Sequence, residues 1–222
     1  MRRSEFRKNW AVVPLLVLLV GGCAAPTASL GAGTPASSHA SPLTVARAFY
    51  GALHGGDAEG AAKLLATPNA RTATNAFVTL SRAYRDLEKA VGERFGAEAT
   101  HAVGYGDGVA AEEEALRRAS EEISGDEAVV TAGNRTLATL RRIDGTWRVL
   151  LSDSLSTSDG LVELAQEAVA TQKAAARVAP AVRQGFFNGP EDALEAFRND
   201  VASSLVGQQD LGEAEPPGFV SI

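Results

Sequence analysis

The chain has 222 residues, 45% of them hydrophobic, with 21 Lys and Arg against 27 Asp and Glu for a formal charge of −6 at pH 7. An acidic surface repels phosphate backbones, which argues against nucleic-acid binding. The single cysteine, Cys23, leaves no partner for a disulfide and no thiolate metal site. The length suits one domain, with or without an appendage, that holds together through its core alone.

The first segment specifies an address. Arg2, Arg3, Arg7 and Lys8 form a basic start, and an apolar run from Trp10 to Val20 follows. The run is about 11 residues, whereas a membrane-spanning helix takes roughly 20, and Pro14 weakens a permanent helix further. This order is that of a secretory signal peptide. Its end, Val20-Gly21-Gly22-Cys23, resembles a bacterial lipobox. That resemblance implies cleavage after Gly22, a lipid on the Cys23 thiol and an acylated (palmitate-type) amino terminus. Two or three chains make a lasting anchor where one holds only marginally. Residues 1–22 carry four basic side chains and one acidic, so 17 basic and 26 acidic remain beyond them, a formal charge of −9. The expected location is the cell envelope, facing the extracytoplasmic side. Where two membranes exist, Ala24 in place of an aspartate leans toward the periplasmic leaflet of the outer one.

Residues 23–41 are rich in Ala, Gly, Ser, Thr and Pro and read as a flexible tether carrying a solvated His39. Ser41-Pro42 is a helix start, with serine as N-cap and proline at the first position. Val45, Ala48, Phe49, Ala52 and Leu53 fall on one face before Gly55-Gly56 ends the helix. Asp57 caps a short second helix, which Thr67-Pro68 stops. The strongest helical pattern runs from Asn69 to Phe95, apolar at spacings of three and four. Gly104 to Gly108 reads as a mobile loop, and a further helix covers Val109 to Ser120 with Glu113–Arg117 and Glu114–Arg118 pairs. Strands follow near Ile123 and over 127–132, 135–143 and 146–152, with Asp144-Gly145 as a type I′ hairpin turn. Helices then cover 159–179, halted near Pro180, and a stretch opened by Gly189-Pro190. From Gly207 the chain is polar and reads as frayed.

Two segments carry a family resemblance. Ser41 to Leu65, SPLTVARAFYGALHGGDAEGAAKLL, is similar to the opening of NTF2-like domains found in bacterial lipoproteins. Ile143 to Asp153, IDGTWRVLLSD, is similar to their closing hairpin. The resemblance implies an α+β fold in which helices pack on a small curved antiparallel sheet to form a cone over residues 42–153. A helical extension over 154–206 and a disordered tail over 207–222 would follow. The family includes enzymes, ligand binders and assembly modules, so it selects no single function.

Within such a cone the candidate pocket residues are Tyr50, His54, Tyr84 and Asp153. Each also has a structural reading. Tyr50 and Tyr84 suit a core with the hydroxyl at its boundary. His54 suits a helix C-terminus, where the dipole favours a cation. Asp153 suits the cap of the helix that follows. Glu112-Glu113-Glu114 reads as a solvated helix start. His101 and Asp107 have no third ligand, so no metal is expected. Gly104-x-Gly-x-Gly108 matches neither phosphate-binding spacing, and no Gly-x-Ser-x-Gly elbow is present. No catalytic residue and no cofactor are expected. The leading expectation is a non-catalytic envelope lipoprotein that binds a small apolar ligand or a protein partner. The alternatives are a proton-transfer enzyme acting on a small carbonyl or polycyclic substrate, and a scaffold whose C-terminal helices form a partner or homodimer surface.

Overall fold

The computed structural model describes residues 40–210. The leader, residues 23–39 of the tether with Cys23 and His39, and residues 211–222 of the tail lie outside the described residues. Seven helices and a four-stranded antiparallel sheet make up the described fold, an α+β architecture with helices on a small open sheet. Among the described residues no helix is long and apolar enough to cross a membrane.

Helix α1 (Pro42–Gly55) begins where the sequence places it. Ser41 accepts the Thr44 N–H, and Gly56 closes the helix in a left-handed conformation at φ 80°. Asp57 caps α2 (Ala58–Ala62) through the Gly60 N–H at 2.8 Å. Helix α3 (Ala70–Phe95) leads through a 3-10 stretch, Ala97–Ala102, into α4 (Tyr105–Arg118). The glycines at 106 and 108 are therefore helical rather than a mobile loop. Gly104 supplies the turn at φ 71°, and the Glu88 carboxylate accepts the Gly106 N–H at 3.0 Å. An anion already sits on the free N–H groups of the first turn, which makes a helix start there favourable. At the other end of α4, Arg47 donates to the Leu116 and Arg117 carbonyls. Glu114 pairs with both Arg117 and Arg118, so the expected Glu113–Arg117 pair is replaced.

Strands β1 (Ser120–Ser124), β2 (Glu127–Ala132), β3 (Arg135–Ile143) and β4 (Thr146–Val149) form a meander in sequence order. The last strand is three residues shorter than its alternation predicts. Asp144 at φ 50° and Gly145 at φ 75° form the expected hairpin turn. The outer edge of β4 is covered by the stretch after α2: Val149 donates its N–H to the Leu64 carbonyl and accepts the Ala66 N–H, a parallel bridge centred on Leu65. A bulge between Val130 and Thr131 leaves Leu137 without a cross-strand partner. Bulges bend a strand and increase its twist.

Helices α5 (Asp153–Ser156), α6 (Ser158–Arg183) and α7 (Pro190–Asp210) complete the chain. Helix α6 does not stop near Pro180 but continues for three more residues. Proline cannot supply the N–H that would bond the Ala176 carbonyl, yet the helix persists for one more turn, closed by the Gln184 N–H on the Pro180 carbonyl at 3.0 Å. Helix α7 runs past Gly207, where fraying was expected, to Asp210.

Two apolar clusters hold the fold. One joins α1, α2, the first half of α3, the sheet and the start of α6, with Phe49, Tyr50, Phe77, Leu137 and Leu140 fully buried. The other joins the second half of α3, the 3-10 stretch, the second half of α6 and α7 around Phe197. The two 26-residue helices α3 and α6 pack against each other and contribute to both clusters.

Candidate functional site

Tyr50 and His54 lie on one face of α1, one turn apart, with ring centroids 6.4 Å from each other. Tyr50 is wholly buried and donates its hydroxyl to the Leu137 carbonyl at 2.6 Å. That carbonyl belongs to the residue the bulge leaves with no residue opposite it on β2. Burial pushes the Tyr50 phenol up, with the Glu112 carboxylate adding to the effect and Arg135 opposing it.

The partner of His54 is a residue expected in solvent. Glu112 is buried in the face α4 turns to α1, and its Oε2 lies 2.8 Å from His54 Nε2. The triple glutamate is thus not a uniformly solvated helix start: Glu113 is exposed, Glu114 is half-buried, and Glu112 belongs to the interior. Burial pushes the Glu112 carboxyl up, while the hydrogen bond and charge of His54 and the charge of Arg135 pull it down. The stripe Tyr105, Val109, Glu112, Leu116 at spacings of four, three and four was the available sequence signal. A carboxylate in that stripe breaks the pattern, and only an acidic residue with a buried partner resolves it. His54 occupies the last turn of α1, and its own carbonyl accepts the Arg85 guanidinium at 2.7 Å.

Tyr84 and Asp153 do not join this pair. Tyr84 belongs to the second cluster, stacked on Tyr105 and edge-on to Phe197 at 5.5 Å between centroids. Burial pushes its phenol up, with Glu167 adding to the effect. Asp153 is exposed in the first turn of α5, while the N-cap position it was expected to fill belongs to Ser152.

His101 sits on the surface with Nδ1 2.6 Å from Asp107 Oδ2 and Nε2 3.7 Å from Glu98. The hydrogen bond and charge of Asp107 raise the His101 imidazole above its usual range. An open groove of about 510 Å³ runs beside this pair, lined by Arg85, Glu88, Lys89 and Glu93 on α3 and by Thr100 and Asp107. Its walls carry both signs of charge. Among the described residues no group of three His, Cys, Asp or Glu side chains is arranged to hold a metal ion.

Chemically, a carboxylate that orients an imidazole is the arrangement of a general base. Here the carboxylate is sealed between helices, and the ring nitrogen facing it is occupied. The space between α1 and the sheet is filled by Phe49, Tyr50, Leu137 and Leu140. Comparisons with protein-family profiles, curated proteins and solved structures return no match.

Proposed function

We propose that this chain is a lipid-anchored, extracytoplasmic binding or assembly module of the bacterial cell envelope, with an NTF2-like lobe and no catalytic duty of its own. The observation that carries the reading is the sequence of residues 1–23, a basic start, a short apolar run and Val-Gly-Gly before the only cysteine. The order of helices and the meander is compatible with an NTF2-like cone. Its interior is packed with side chains, which favours an assembly role over capture of a ligand inside the lobe.

A metabolic label tests the proposal. Cells supplied with a clickable palmitate analogue incorporate it into the wild-type chain, and Cys23→Ser loses both the label and membrane fractionation. Labelling that survives Cys23→Ser overturns the anchor. The His54–Glu112 pair is the one observation favouring a second reading, a proton-transfer enzyme. That reading requires His54→Gln to abolish a base-catalysed turnover by the wild type.

A further inference from the structure

The junction of α1, α3 and α4 holds more buried polar atoms than partners for them. Glu112 Oε1 has no hydrogen-bond partner among the described residues, and neither has the Tyr105 hydroxyl two turns earlier on α4. Tyr84 and Arg85 are the residues through which α3 meets α4 and α1. Buried polar atoms normally find partners, and a partly satisfied network is the weak place in a packed interior.

His54–Glu112 is the pair of side chains that joins the last turn of α1 to the middle of α4, while Arg47 on α1 reaches the Leu116 and Arg117 carbonyls at the far end of α4. The titratable and charged groups around it are Tyr50 on α1, Arg85 on α3, Glu113 on α4 and Arg135 at the start of β3. Arg85 is engaged by the His54 carbonyl, so Arg135 is the cation left to oppose a charge on Glu112.

We propose that the His54–Glu112 pair is a proton-operated latch, which holds α1 on α4 while one proton is shared between imidazole and carboxyl and loosens when that proton leaves. With the proton present the pair is either imidazolium and carboxylate or imidazole and carboxylic acid, and both forms are neutral overall. Without it, a neutral imidazole faces a carboxylate that keeps one oxygen unpartnered inside the protein. Ionising a buried, incompletely paired group is costly. The proton passes to and from water through His54, whose side chain is 14% exposed against 5% for Glu112. The elevated Glu112 carboxyl agrees in sign. A carboxyl raised by folding contributes stability below its unfolded value and loses that contribution as pH rises through the folded one.

Amide hydrogen exchange on the full chain at pH 5 and pH 8, corrected for the intrinsic pH dependence of exchange, tests the latch. Raising the pH lowers protection in the last turn of α1 and in α4 by about tenfold relative to α7, the change that one pKa unit of coupling produces. Glu112→Gln keeps the shape of the side chain and its bond to His54 but cannot ionise, and it abolishes the difference. Equal pH dependence in wild type and Glu112→Gln overturns the proposal, as does a wild type that does not respond. Should Glu112→Gln fail to fold, the carboxyl ¹³C titration of Glu112 in the wild type decides. Titration above the ordinary glutamate range, alongside the protection loss, supports the latch; an ordinary or flat titration overturns it.

Discussion

Tyr50→Phe removes one oxygen atom from the interior and nothing else. The lost bond runs from the phenol to the Leu137 carbonyl at 2.6 Å, with both residues fully buried. A hydrogen bond of this kind contributes a net 0.5–1.5 kcal/mol, roughly, and a buried acceptor left unsatisfied costs about 1–3 kcal/mol. The bulge leaves Leu137 without a residue opposite it on β2, and the phenol is the side-chain donor its carbonyl has. The expected loss is about 2 kcal/mol, which lowers Tm by about 4–8 °C in a chain of this size. Urea unfolding followed by far-UV circular dichroism measures it, with the midpoint moving and the slope unchanged. Tyr84→Phe is the matched control. It deletes the same atom from a half-buried ring that stacks on Tyr105, and it shifts stability by no more than about 0.5 kcal/mol. A Tyr50→Phe loss under about 0.5 kcal/mol would refute the reasoning that the Leu137 carbonyl depends on the phenol.

Phe197→Ala empties the centre of the second cluster and costs about 3–5 kcal/mol by urea unfolding; a loss below about 1 kcal/mol would show that α7 is not held by this core. Arg142 lies 4.5 Å from the centroid of the Trp147 ring, and Arg142→Ala costs about 0.5–1 kcal/mol in the same assay. The His101 imidazole titrates above its usual range by proton NMR, and Asp107→Asn brings it down. The sign follows from linkage: the contribution of this pair is fully present below the unfolded value and disappears as pH rises through the folded one. An unchanged His101 titration in Asp107→Asn would place the cause elsewhere.

Much of the fold was legible because its signals are local. Ser41-Pro42, Gly56, Asp57 and Asp144-Gly145 each fix their own backbone within a few residues, and all four do so in the structure. The failures share a different cause. Glycines 106 and 108 argue for a loop, but Glu88, eighteen residues away, stabilises a helix start there. Glu112 was read by its charged neighbours, whereas its environment is set by His54 on another helix. The bulge that pairs Leu137 with Tyr50 depends on the register of two strands, which alternation alone does not encode. Of the four candidate pocket residues, Tyr50 and His54 stand four apart on α1, a spacing that brings their rings to 6.4 Å, although the sequence reading does not pair them. The helical period could not tell that Tyr84 lies in a second cluster, because α3 is long enough to serve both.

Mass spectrometry of the amino-terminal peptide, taken from protein extracted out of its native membranes, tests the central claim most directly. The account predicts a chain that begins at Cys23 and carries the added mass of a diacylglyceryl thioether and an amide-linked fatty acid, with residues 1–22 gone. A free thiol at Cys23, or a mature terminus at any other position, would contradict it.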